Sequence, residues 1–131
     1  MNSTQKGTYA ELVVAMKAAE KGYFVGMMPQ GCPYDMVVDT GSGPLRVQVK
    51  YSQAKNDICK VKLNPTGQLR NNTIYSKDNV DIIALFEVNT NQIAWIKIED
   101  FNEVDTASLR LTKPKNNQLK GVTMFTDFLD W

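Results

Sequence analysis

The sequence predicts an α+β fold, in which one long N-terminal helix packs on a central mixed β-sheet with added β-hairpins. Helical spacing of apolar residues is confined to the first 21 positions, and short strand-like runs separated by turn residues follow. One of these runs, 80–88, is strongly apolar, as is typical of a buried strand. The length of 131 residues suits one domain, so we expect residues 1–131 to fold as a single unit.

The helix is predicted over residues 3–21. Ser3 or Thr4 is expected to cap its N-terminus, and Gly22 is a typical stop signal just beyond its end. The apolar stripe that faces the sheet is expected to consist of Leu12, Ala15, Met16 and Ala19.

The strand-like runs are bounded by turn residues. Residues 41–44 form a turn short enough to make the flanking strands an antiparallel hairpin, and residues 89–91 predict a second hairpin. Polar residues 64–79 are expected to form an exposed loop, residues 98–101 a helical turn, and residues 124–131 an amphipathic closing segment. The predicted strands span residues 23–28, 34–40, 45–51, 58–63, 80–88, 92–98 and 109–111.

The composition excludes several chemistries. The chain has no histidine, which rules out Ser-His-Asp and Cys-His catalysis and zinc sites that need histidine. Its two cysteines cannot supply a Cys₄ zinc site, and reduced thiols are favoured over a disulfide. The net charge of +1 does not by itself indicate a nucleic-acid partner. There is no apolar run long enough to span a bilayer and no signal-peptide pattern, so a cytoplasmic location is expected.

Three residues on one strand and its hairpin partner form the most informative group. Gln48 and Lys50 alternate with Val47 and Val49, so they share one face of their strand. The hairpin brings Asp35 of the preceding strand toward the same end of the sheet. Two interpretations are open: a solvated polar face, or an acid, an amide and an ammonium converging in a metal-dependent hydrolase site.

Glu11 adds a possible fourth member from the helix. It lies beside the apolar stripe, among small residues that allow the helix to approach the sheet closely. A carboxylate in that position is costly unless a cation compensates its charge. The alternative is that Glu11 reaches water at the edge of the stripe.

These residues resemble a known family, the PD-(D/E)xK nuclease superfamily, and in particular its cyanobacterial group I intron-encoded homing endonucleases. The similarity extends over roughly residues 5–101, and glutamine at position 48 is similar to the intron-encoded subgroup. It is carried by segments Gly7–Leu12, Lys21–Tyr23, Pro33–Asp39, Arg46–Lys50, Tyr75, Val80–Asp81 and Trp95–Phe101.

The resemblance implies a restriction-endonuclease-like fold and a Mg²⁺-dependent, or other divalent-cation-dependent, DNA endonuclease. Glu11 and Asp35 are then metal ligands, Gln48 is a metal ligand or positions the water through its side-chain carbonyl, and Lys50 steadies the attacking water or the phosphate charge. The chemistry is consistent on its own terms, because Mg²⁺ prefers oxygen ligands and often uses only one or two carboxylates.

Contacts with double-stranded DNA are expected from basic residues outside this group. Lys60 and Lys62 alternate on one face of a strand, which suits a ribbon that faces phosphates or a groove but also an ordinary solvated strand. The full set of predicted DNA-binding residues is Lys55, Lys60, Lys62, Arg70 and Lys77.

Two other functions remain open at this stage. A structure-selective nuclease similar to the archaeal Holliday-junction resolvases shares the order of Glu, Asp and Lys. A catalytically silent DNA-binding protein is suggested by Gln48, which replaces the usual acidic residue.

A homing enzyme must make two cuts, so a dimer or tetramer is expected. The apolar runs 80–86 and 93–98 and the aromatic tail at Phe125, Phe128 and Trp131 are either interface or core.

Overall fold

The computed structural model describes residues 1–63, 75–101, 104–116 and 121–131. Helix α1 (Ser3–Glu20) is followed by strands β1 (Phe24–Met27), β2 (Met36–Asp39), β3 (Pro44–Ser52), β4 (Ile58–Lys62), β5 (Ile82–Glu87), β6 (Gln92–Lys97) and β7 (Thr106–Arg110). Two short 3₁₀ turns, Ile98–Phe101 and Phe125–Phe128, complete the elements seen in these ranges. The predicted α+β fold is confirmed.

The main sheet is mixed, as predicted. Its strand order is β1-β2-β3-β5-β6, in which β3 and β5 run parallel and every other neighbouring pair is antiparallel. The β2–β3 hairpin places Met36 opposite Val47, and the β5–β6 hairpin places Glu87 opposite Gln92. Strands β4 and β7 form a separate antiparallel pair, called here the ribbon.

The two faces of the main sheet are covered by different elements. Helix α1 packs on one face, where Val14 and Ala18 meet Val47, Val49 and neighbouring apolar residues. The ribbon packs on the other face over β5 and β6, with Cys59 and Leu109 turned inward. Strand β5 is buried along its whole length because it is covered on both sides, as its apolar sequence predicted.

The register of the helix differs from the prediction. Leu12 is 60% exposed and Met16 is 50% exposed, so the predicted stripe is wrong. The buried face consists instead of Ala10, Val13, Val14 and Ala18. Small and β-branched side chains occupy this face because the helix lies close to the sheet, and the larger Leu and Met side chains point outward.

The helix cap also differs from the prediction. Asn2, not Ser3 or Thr4, caps the helix, and it forms a reciprocal capping box with Gln5. Gly22 follows the helix with φ +83°, a conformation that glycine adopts without steric cost, which fits the predicted stop.

Of the segments expected to be either interface or core, strands β5 and β6 and Phe125 belong to the core of this chain, whereas Phe128 and Trp131 are partly buried. Strand β5 is buried, Phe125 is fully buried, and Trp131 packs against Trp95 with ring centroids 4.7 Å apart. The last strand begins and ends earlier than predicted, at 106–110 instead of 109–111. Both cysteines are free thiols.

Most of the predicted loop 64–79 lies outside the described residues. Within the described ranges, no helix combines the length and the apolarity that a membrane crossing requires.

Candidate active site

Glu11 of α1 and Asp35 come together at the start of β2. Asp35 immediately precedes β2, where its main-chain N–H donates to the Val47 carbonyl at 2.9 Å. Its carboxylate accepts from the Val49 N–H at 2.7 Å, which locks the side chain along β3. The Glu11 carboxyl lies beside that of Asp35, within range of a hydrogen bond when one of the two carries a proton. A groove of about 450 Å³, lined by both carboxylates together with Gly7 and Tyr34, opens beside this pair.

The pair is electrostatically unfavourable as two free carboxylates. Burial raises the pKa of Glu11, and the charge of Asp35 raises it further. Burial also raises the pKa of Asp35, although the Val49 N–H and the charge of Lys50 partly offset this. Two carboxyl groups this close are both ionised only when a cation lies beside them. Without a cation, they share a proton.

Lys50, on β3, is close enough to Asp35 for its positive charge to act on that carboxylate. Its Nζ donates to the Tyr75 hydroxyl at 3.1 Å and sits 4.9 Å from the centre of that ring. Tyr75 is itself held by its main-chain N–H, which donates to the Leu63 carbonyl at the end of β4. The ammonium group is therefore aimed by a side chain that approaches from outside the main sheet.

Gln48 lies on β3 between Val47 and Val49. Val47 and Val49 are buried against α1, so the partly exposed Gln48 points to the opposite face, as do Arg46 and Lys50. Asp35, just before β2, is tied to β3 on either side of Gln48, by its main-chain N–H to the Val47 carbonyl and by its carboxylate to the Val49 N–H. The structure thus brings Glu11 and Lys50 close to Asp35 near the start of β2, whereas no contact between described residues places the Gln48 side chain among them.

Arg46 shares this face but is engaged elsewhere. Its guanidinium and main-chain N–H donate to the carboxylate of Asp81, and it also donates to the carbonyls of Lys77 and Asp78. It fastens the start of β3 to the start of β5.

The donor set fits a hard divalent cation. Glu11 and Asp35 offer two neighbouring carboxylates, and Gln48 carries an amide oxygen on the adjacent strand β3. Within the described ranges, no group of three or more His, Cys, Asp or Glu side chains is placed to hold a metal ion. Two neighbouring carboxylates can hold a divalent cation whose other ligands are waters or the substrate.

The predicted DNA-binding residues are placed differently from one another. Lys60 and Lys62 are exposed on the outer face of the ribbon, and Lys55 lies in the turn that leads into β4. Lys77 pairs with Asp81 at 3.4 Å and with Glu99 at 3.8 Å. Arg70 lies outside the described residues.

Sequence reasoning did not assign a role to Tyr75, although it is the partner of Lys50. Twenty-five positions separate them, and no local periodicity links the loop to β3.

A family model described as PD-(D/E)XK endonuclease matches residues 1–130, and the chain belongs to that family. The fold is similar to that in a solved structure titled as a bacterial homing endonuclease, I-Ssp6803I, with a TM-score of 0.74 and 22% sequence identity. The match covers 92% of this chain and 84% of the other chain. A comparison with curated protein sequences finds no match.

Proposed function

We propose that this nuclease is a Mg²⁺-dependent, site-specific DNA endonuclease of the intron-encoded homing type that makes double-strand breaks. The observation that carries the catalytic part is the contact between Glu11 and Asp35, with Lys50 close enough to act on the charge of Asp35. The similarity of the fold to that of a homing endonuclease supports the type of substrate.

Each residue has a distinct task in this proposal. Glu11, Asp35 and Gln48 hold the cation, which supplies polarisation of the phosphate and activation of water when bound. Lys50 places a fixed positive charge beside the phosphate, where negative charge grows as water attacks phosphorus and the bond to the leaving oxygen breaks. The Tyr75 hydroxyl restricts the ammonium to one position before the substrate arrives.

Three substitutions test the site. Glu11→Gln, Asp35→Asn and Lys50→Ala should each abolish or severely reduce nicking of plasmid DNA in Mg²⁺. DNA binding should survive, and the two carboxylate variants should bind as tightly as the wild type or more so, since each removes charge that repels phosphate. Glu20→Gln is the matched control, because Glu20 is an exposed carboxylate at the other end of α1. Normal cleavage by the three site variants would place the active site elsewhere.

The same assays separate the alternatives. A wild-type protein that binds duplex DNA but never cuts it, with Mg²⁺ or Mn²⁺, would be a silent DNA-binding protein, as the neutral Gln48 permits. Preferential cutting of a four-way junction over linear duplex would indicate a resolvase. An open reading frame located inside an intron would support homing and would predict the joined exons as the target.

We also propose that the protein acts as a dimer or tetramer. A double-strand break requires two cuts, and one copy of the chain offers one proposed set of Glu11, Asp35, Gln48 and Lys50. Closed symmetric assemblies are the common way to place two copies of a site on one duplex. Sedimentation equilibrium should show a species at a multiple of 14.7 kDa. A monomer both with and without DNA would contradict this proposal.

A further inference from the structure

The ribbon presents a second polar surface, and only its β4 half, with Lys60 and Lys62, was predicted from the sequence to contact DNA. Cys59, Val61, Ala107 and Leu109 face the main sheet, so the alternate residues point outward. The outward neighbours across the ribbon are Ile58 with Arg110, Lys60 with Ser108, and Lys62 with Thr106. Neither β4 nor β7 contains an acidic residue. The outer face therefore combines cations with hydroxyl groups, the side chains that bind phosphate oxygens.

A basic groove lies at the end of the ribbon where β4 begins and β7 finishes. Its volume is about 620 Å³, and its lining includes Arg110, Lys113 and Lys115 against a single carboxylate, that of Asp57. This carboxylate accepts from the Thr112 hydroxyl at 3.3 Å, and Arg110 Nε donates to the Thr112 carbonyl at 3.2 Å. These contacts shape the segment after β7 and fix the direction of the guanidinium. The groove is suited to an anion.

The opposite end of the ribbon reaches the candidate active site. Leu63, directly after β4, accepts a hydrogen bond from the main chain of Tyr75, whose hydroxyl holds Lys50. At the groove end, the ribbon begins with Ile58, which lines the groove. The five residue steps from Ile58 to Leu63, at the end near Tyr75, span about 17 Å at roughly 3.3 Å per residue. That length corresponds to about five phosphates along one strand of a duplex, at about 3.4 Å each. A duplex that extends along the ribbon from the candidate active site would span this distance to the groove.

We propose that the outer face of β7 and the groove formed by Arg110, Lys113 and Lys115 bind the DNA phosphate backbone on one side of the cleavage site. This inference rests on the proposed function, because it extends the DNA-binding surface away from the catalytic centre. The contacts are with phosphates, so they contribute affinity and orientation and carry no base preference.

The test compares two double variants that remove the same charge. Lys113→Gln with Lys115→Gln changes the groove, whereas Lys17→Gln with Lys21→Gln changes α1 on the other face of the sheet. Binding to a fluorescent 30-base-pair duplex is measured by anisotropy in metal-free buffer at several salt concentrations. The slope of log affinity against log salt should fall by about two for the groove variant, since each phosphate contact contributes about 0.9. The control slope should match that of the wild type.

Lysine acetylation followed by mass spectrometry gives an independent readout. In the DNA complex, Lys113 and Lys115 should be protected, and Lys17 and Lys21 should react as they do in the free protein. Wild-type binding with unprotected groove lysines and equal slopes for the two variants would overturn this inference and leave the proposed function intact. A wild-type protein that binds no DNA would overturn both.

Discussion

Asp81 is expected to contribute about 2 kcal/mol to the free energy of unfolding at neutral pH, and this contribution should disappear in acid. Its carboxylate accepts from the Arg46 main-chain N–H at 2.8 Å and from the guanidinium at 3.1 and 3.2 Å. The side chain is only 11% exposed, so solvent screens these contacts weakly. Replacement by asparagine keeps the shape but removes the charge.

The magnitude follows from the pKa. Burial alone would raise the pKa of Asp81, but the hydrogen bonds and charge of Arg46, with Lys77, outweigh it and lower the pKa from 3.8 to about 2. A shift of one unit corresponds to about 1.4 kcal/mol. Because the folded state has the lower pKa, the stabilisation is complete above the ordinary value of 3.8. It is lost as the pH falls through about 2, and roughly half should remain at about pH 3.

Urea unfolding of the wild type and Asp81→Asn between pH 7 and pH 3 measures this directly. The difference in unfolding free energy should shrink by about 1 kcal/mol over that range. Asp78→Asn is the control, because Asp78 is exposed and its main-chain carbonyl, not its carboxylate, accepts from Arg46. A difference between wild type and Asp81→Asn that stays constant with pH would refute the ionic account of this contact.

Three further predictions concern single residues. Glu87→Gln should lower the free energy of unfolding by about 1–3 kcal/mol in chemical denaturation. The fully buried carboxylate accepts from the main-chain N–H groups of three residues around two turns, and an amide cannot match all three. An unchanged midpoint would contradict this. Tyr75→Phe removes the hydroxyl that accepts from Lys50, and it should slow DNA cleavage about fivefold while DNA affinity stays constant. A fivefold loss corresponds to one hydrogen bond of about 1 kcal/mol. A loss of affinity alone would assign the hydroxyl to DNA binding. Gln48→Ala should reduce cleavage strongly and Gln48→Glu should retain it, measured at several Mg²⁺ concentrations; a normal rate for the alanine variant would make Gln48 part of an ordinary polar strand face.

The sheet and its hairpins could be predicted because each depends on local signals. Gly41 and Gly43, both at positive φ in the structure, mark the β2–β3 turn, and alternation in the following strand separates its buried from its polar side chains. The place of Asp35 beside this strand then follows from hairpin register alone. Pairing of β4 with β7 was not predictable, because the two strands are far apart in sequence and each is short.

The helix face was mispredicted for a physical reason. Periodicity identifies an apolar stripe but weighs Leu12 and Met16 by their hydrophobicity. Close approach of α1 to the sheet selects small side chains instead, so Ala10 and Ala18 are buried while the larger residues remain in contact with solvent. Glu11 borders the true buried face, which is why it meets Asp35. The close approach of α1 to the sheet, which made the predicted apolar stripe wrong, therefore also brings Glu11 to Asp35.

The parallel pairing of β3 with β5 has a consequence for how the chain folds. Helix α1 and strands β1 to β3 join near neighbours in sequence, and β5 and β6 form a tight hairpin, so both units can form early. Joining them requires closure of a chain segment of 35 positions, from Arg46 to Asp81, before β3 and β5 can exchange hydrogen bonds. We expect this docking step to limit the refolding rate. Stopped-flow refolding of Arg46→Ala should therefore be slower than that of the wild type, whereas an effect on unfolding alone would place this contact after the barrier.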